Sequence, residues 1–124
     1  MIIKNQIKDL SHMFDKCDNI KYIDELKYLN VKYCNNFSYI FRYCSSLKDI
    51  KSLEKWNVSN GTNFSDMFYN CSSLKDIKPL EKWNVSNGTD FSLMLYNCSS
   101  LKDIKPLEKW HLKENDYKRM FNKS

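Results

Sequence analysis

The chain reads as an α/β repeat solenoid whose coils are about 27 residues long, each with short extended segments and a short helix. Three observations predict this. Residues 44–70 (CSSLKDIKSLEKWNVSNGTNFSDMFYN) recur at once as residues 71–97 (CSSLKDIKPLEKWNVSNGTDFSLMLYN). Only four of the 27 positions differ: Ser52 against Pro79, Asn63 against Asp90, Asp66 against Leu93, and Phe68 against Leu95. Cys17, Cys44, Cys71 and Cys98 keep the same spacing of 27. Finally, two apolar periods alternate inside each unit. One such unit cannot bury its apolar side alone, so stacking must supply the core.

The elements follow in order along a single domain of residues 1–124. Residues 1–16 read as an N-terminal half-repeat cap, because Leu10, Met13 and Phe14 align with Phe37, Ile40 and Phe41 one period later. Lys4, Asn5, Gln6, Lys8 and Asp9 suit an end that faces water. Residues 17–43 are a degenerate repeat. Its apolar skeleton (Ile20, Ile23, Leu26, Leu29, Val31, Phe37, Ile40, Phe41) persists while its polar positions drift, as expected of buried columns. Leu29 stands where later units have Trp, and Cys34 where they have Gly.

In the twin repeats, Phe64, Met67, Phe68 and Cys71 fall at i, i+3, i+4 and i+7, one face of a short helix. Thr62, Asn63 or Asp90 is placed to cap its start. Asn60-Gly61 reads as a turn with the glycine at positive φ. Cys71, Leu74, Ile77, Leu80 and Trp83 keep a strict spacing of three, which predicts an extended piece over residues 74–78, a bend at Pro79 and a second extended piece near Trp83. Residues 98–124 form the last repeat with a C-terminal cap. After Trp110 the glycine is gone, charges rise and the unit is one residue shorter, while Met120 and Phe121 still match Met67 and Phe68 on a closing helix.

Composition narrows the function classes. Apolar residues at 42% and charged residues at 28% are ordinary for a soluble domain. A net charge of +5 is too mild for a dedicated nucleic-acid face, so nucleic acid is not an expected partner. No apolar run approaches the roughly 18 residues that a span requires, so no membrane crossing is expected. The start, MIIKNQIKDLSHMF, lacks the apolar core and small-residue site of a signal peptide, which predicts an intracellular protein. The Asn-x-Ser/Thr triplets at Asn36, Asn57, Asn60, Asn63, Asn70, Asn84, Asn87, Asn97 and Asn122 point the same way, since glycans there would obstruct stacking. The registered cysteines are expected as a column of buried, reduced thiols, and a linear column does not converge on a metal.

The run Met67-Phe68-Tyr69-Asn70-Cys71-Ser72-Ser73-Leu74, with Trp83-Asn84-Val85-Ser86-Asn87 downstream, resembles the BspA-like leucine-rich repeats, the bacterial-surface-protein repeat of the DUF285 type. The resemblance covers nearly the whole chain. It implies leucine-rich-repeat-like coils with a short-strand sheet on one face, and a role in adhesion or protein binding. Such repeats occur in bacterial and mycoplasma surface proteins, protists and giant DNA viruses. With the Lys-, Asn- and Ile-rich composition, this implies a giant-virus or intracellular origin, in host cytoplasm or virion if viral. The unit is one residue longer than is usual, between Ile77 and Leu80, and Gly88 stands where Val is frequent.

Polar residues that recur in register form parallel columns, not a convergent pocket. No catalytic, cofactor-binding or metal-ligating residue is therefore assigned, no cofactor or small-molecule substrate is expected, and the chain is not read as an enzyme. His12 and His111 are isolated, and Trp56, Trp83 and Trp110 are expected to pack against the core. Lys48, Lys75 and Lys102 head lysine columns beside the Asp49, Asp76, Asp103 column, giving either a self-neutralised face or one that receives an acidic partner. The segment read as helical varies most between units. Its candidate partner-binding residues are Tyr39, Arg42, Tyr69, Leu93 and Tyr96, joined by Lys48, Lys75 and Lys102. The expected function is a non-enzymatic repeat module for protein–protein interaction or adhesion, partner unidentified. The alternative is a structural repeat segment of a surface or virion protein, and weak polyanion binding comes third.

Overall fold

The computed structural model describes residues 7–122; Lys4, Asn5 and Gln6 of the expected cap lie outside them. Recurrent bends set the path of the chain. Asp49, Asp76 and Asp103 each accept the backbone N–H two residues on, from Lys51 (2.8 Å), Lys78 (2.8 Å) and Lys105 (3.0 Å). Asn57 and Asn84 hold Ser59 and Ser86 in the same way, at 3.1 Å each. Asn36, Asn63 and Asp90 hold Ser38, Ser65 and Ser92 at 2.9–3.0 Å. Each is an Asx turn, in which a short side chain imitates a backbone bend. Three such corners per unit bring the chain round, and the next unit lands on the one before.

Parallel bridges record that stacking: Asp9 with Asn36, Asn36 with Asn63, Asn63 with Asp90, and Tyr22 with Asp49. Between them, alternate residues donate to the following coil. The N–H groups of Phe37, Tyr39, Phe41 and Tyr43 reach the carbonyls of Asn63, Ser65, Met67 and Tyr69. Those of Phe64, Asp66, Phe68 and Asn70 reach Asp90, Ser92, Met94 and Tyr96.

The α/β solenoid expectation, and with it the short-strand sheet, is corrected here. Among the described residues there is no strand and no sheet. The regular elements among the described residues are four 3-10 helices, η1 (Asp24–Tyr28), η2 (Lys51–Leu53), η3 (Lys78–Leu80) and η4 (Lys105–Trp110), and one α-helix, α1 (Glu114–Arg119). Backbone geometry explains the loss of strands. Two positions per coil are left-handed: His12, Tyr39, Asp66 and Leu93 at φ 56–62°, and Lys16, Tyr43, Asn70 and Asn97 at φ 59–65°. A left-handed residue ends an extended run, so the pairing cannot propagate beyond single bridges.

The expected helix from Phe64 is also replaced. Tyr69 N–H bonds to Asp66 O (3.2 Å) and Cys71 N–H to Phe68 O (3.1 Å), so the segment is two consecutive tight turns. Asn63 turns the chain instead of capping a helix. The expected extended piece over 74–78 runs into η3, where Pro79 stands in the first turn and its missing N–H costs nothing. Neither glycine takes positive φ. Gly61 N–H instead closes a turn on Val58 O (2.8 Å). A Cβ there would sit 2.4 Å from Phe64 Cζ, and one at Gly88 2.3 Å from Phe91 Cζ, so ring packing demands the glycines.

The core consists of columns of like residues. Phe37, Phe64 and Phe91 stack at 5.3 and 5.4 Å, and Phe14, Phe41 and Phe68 at 5.7 and 5.5 Å. Trp56, Trp83 and Trp110 are buried and stack at 6.4 and 6.3 Å. Each indole Nε1 donates to a carbonyl of the preceding coil: Leu26 (2.8 Å), Leu53 (2.9 Å) and Leu80 (2.9 Å). The thiols of Cys44, Cys71 and Cys98 do likewise to Phe14, Phe41 and Phe68, at 3.1 Å each. Burial pushes Cys44 and Cys98 up to about 12, and Cys71 well above the usual thiol range. Fully burying each large apolar side chain contributes about 1.5–3 kcal/mol, so the columns dominate stability.

The last coil is closed by the segment after Trp110. Tyr117 Oη donates to Leu107 O (2.7 Å) and accepts the N–H of Leu112 (3.2 Å). Leu93 and Leu95 donate to the carbonyls of Arg119 and Met120, and Met120 is buried. At the other end, Met13, Tyr22 and Tyr28 are 47%, 62% and 80% exposed. No helix among the described residues is long and apolar enough to cross a membrane.

Candidate partner-binding face

The two left-handed positions of each coil lie on the same stretch of turn, and they turn their side chains out along one face. The His12 ring lies flat on Tyr39, with centroids 4.6 Å apart and planes at 5°. The Arg42 guanidinium covers Tyr39 at 4.6 Å and Tyr43 at 5.5 Å. It donates to Asp15 twice, Nε to Oδ1 at 3.0 Å and Nη2 to Oδ2 at 2.7 Å. His12 Nδ1 lies 2.9 Å from the same Oδ2. Burial acts to raise the Asp15 carboxyl, but the hydrogen bonds from Arg42 and His12 outweigh it and hold Asp15 below the usual range. The Arg42 pKa rises in return.

Aromatics continue the face. Tyr43 meets Tyr69 edge-on at 5.4 Å, and Tyr69 stacks on Tyr96 at 5.1 Å. Leu93 is half-buried in the same left-handed column as Tyr39. Tyr39 and Arg42 are thus in direct contact, and Tyr69 and Tyr96 are in contact one and two coils on. Lys48, Lys75 and Lys102 are exposed elsewhere on the coil. Lys48 borders a shallow groove of about 460 Å³ with Asp49, Lys51 and Glu54. Lys75 and Lys102 border another of about 290 Å³ with Asp76, Asp103 and Pro106. The Asp49, Asp76 and Asp103 carboxylates turn back on their own backbone, so this column is partly committed to the fold.

Sequence reasoning missed three contributors: His12, Asp15 and Tyr43. The signal was present in the period. Subtracting 27 from 39 and 42 gives 12 and 15, which places His12 under Tyr39 and a carboxylate under Arg42.

Stacked 27-residue coils, tied by indole–carbonyl and thiol–carbonyl bonds and varied along one face, define a tandem-repeat protein. The chain belongs to the DUF285 family, described as Mycoplasma protein of unknown function, whose model matches residues 8–124. No curated protein and no solved structure matches it.

Proposed function

We propose that the chain is a non-enzymatic repeat module that binds a protein partner through the face carrying Tyr39, Arg42, Tyr69, Leu93 and Tyr96. One observation carries this reading. The coil position of Tyr39 is left-handed, a conformation that suits Gly, Asn, Asp or His, yet successive coils place Tyr39 and Leu93 there beside His12 and Asp66. For Tyr and Leu this strain costs on the order of 1 kcal/mol. A position that differs in every coil, and in two of them holds a side chain unfavourable to the backbone, is one whose identity serves something other than folding. The neighbouring position varies as well, from Asp15 and Arg42 to Tyr69 and Tyr96. Tyrosine and arginine are also the residues that most often anchor protein interfaces. The resemblance to BspA-like surface repeats supports adhesion as the setting.

The non-enzymatic part rests on what the reactive groups are doing. The core thiols are raised far above neutral pH and tied to carbonyls, which makes them poor nucleophiles.

The immobilised chain tests the assignment. A protein it captures should be released by the double change Tyr69→Ala, Tyr96→Ala and retained by Lys48→Ala, Lys75→Ala. The opposite pattern transfers binding to the lysine columns. Retention by both variants removes these two surfaces from consideration, and self-association without any capture favours a structural repeat segment.

A further inference from the structure

Two Asn-Gly pairs, Asn60-Gly61 and Asn87-Gly88, carry a chemistry that no role above uses. An asparagine followed by glycine deamidates without a catalyst. The glycine nitrogen loses its proton and attacks Cγ of the asparagine; the Cγ–Nδ2 bond breaks and ammonia leaves. The resulting five-membered succinimide takes up water and opens to aspartate or isoaspartate. No electrons are exchanged, and water is the sole co-reactant. The reaction requires a glycine N–H free to ionise and a carboxamide free to swing over it.

Folding engages both groups at both sites. Gly61 N–H donates to Val58 O and Gly88 N–H to Val85 O, each at 2.8 Å. Asn60 Nδ2 donates to Lys32 O and Asn87 Nδ2 to Ser59 O, each at 2.7 Å, which pins the carboxamide to the preceding coil. The Phe64 and Phe91 rings against the two glycines leave little room for the backbone to rotate.

We propose that Asn60-Gly61 and Asn87-Gly88 are conformationally gated deamidation sites, silent while the coils are stacked and open once a coil detaches. The gate works in one direction. An aspartate at position 60 or 87 sets a carboxylate oxygen against a carbonyl oxygen, two acceptors where a donor is needed. Isoaspartate lengthens the main chain by one carbon and spoils the 27-residue register. A coil that opens long enough to react does not restack, so each pair keeps a chemical record of unfolding.

The chain is incubated at mildly alkaline pH with and without denaturing urea, and both products are quantified at each site by peptide mapping. The native chain should react at least about tenfold more slowly at both pairs, since reaction must wait for local opening. Equal rates overturn the gate. For the one-way step, Asn60→Asp should lower the melting temperature while Asn57→Asp leaves it nearly unchanged, because Asn57 serves as an acceptor and carboxylate accepts equally well. Equal melting of Asn60→Asp and wild type overturns that step. Should Asn60→Asp fail to fold, Asn87→Asp decides it by the same comparison.

Discussion

The two ends of the stack are finished in different ways. The N-terminal stretch, the half-repeat and residues 17–43, has Leu29 where later coils have tryptophan, and it leaves Met13, Tyr22 and Tyr28 exposed. The last coil is covered by α1, and Tyr117 supplies to Leu107 the donor that Trp56, Trp83 and Trp110 supply to Leu26, Leu53 and Leu80. The difference follows from the direction of the bonds. An indole always reaches back to the coil before it. Leu29, at the matching position of residues 17–43, carries no side-chain donor with which to reach back. In the last coil the Leu107 carbonyl receives its donor from the Tyr117 phenol of α1 in place of an indole.

The interior should break hardest. Trp83→Ala removes an indole stacked on both sides and is expected to cost about 3–5 kcal/mol in a denaturant melt. Trp110→Ala, stacked on one side and adjoining the cap, should cost less. Equal losses would show that stacking between indoles matters less than burial of each one. The cap comes next. Tyr117→Phe keeps the ring and leaves Leu107 O and Leu112 N–H unanswered, for an expected loss of about 1–2 kcal/mol in thermal melting. An unchanged melt would mean that water replaces the phenol and the cap works by cover alone.

The N-terminal half-repeat should be most tolerant. Asp15 is held below the usual carboxylate range, so its link to Arg42 stabilises the fold above the unfolded-state pKa and is lost as pH falls through the folded one. Asp15→Asn should therefore flatten the acid limb of the stability profile while changing neutral stability by under about 1 kcal/mol. An acid limb identical to wild type would assign acid sensitivity to other carboxylates.

What the sequence made legible was the order of the columns. A period of 27 is enough to say that Phe64 lies between Phe37 and Phe91 and that the tryptophans share one buried row. The local path was not legible, because different geometries produce the same spacing. Two tight turns with Asp66 and Asn70 left-handed bring Phe64, Met67, Phe68 and Cys71 inward, as a helix would. The Asn-Gly pair suggests a glycine needed for its conformational freedom, whereas a neighbouring ring requires its lack of a side chain. The Asn-x-Ser triplets at Asn36, Asn57, Asn63 and Asn84 argue in the sequence only against glycosylation, since glycans there would obstruct stacking. They are the corner pieces of the coil, with the serine amide, two residues on, bound to the asparagine oxygen. The candidate face was legible in its members from the later coils, because variation between near-copies exposes them. The Asp15–Arg42 pair was not, since it forms only when the register is applied to the shorter first segment.

The indole bond also bears on how such a chain changes in length. Each interior coil brings one donor for its predecessor and one carbonyl for its successor. A 27-residue insertion or excision between Trp56 and Trp83 therefore leaves no orphaned group on either side. Copying a coil is structurally silent at the joint, whereas copying any fraction of one is not. A gene encoding such units is free to lengthen or shorten by recombination between near-identical segments, and the near-identity of residues 44–70 and 71–97 is the trace such an event leaves.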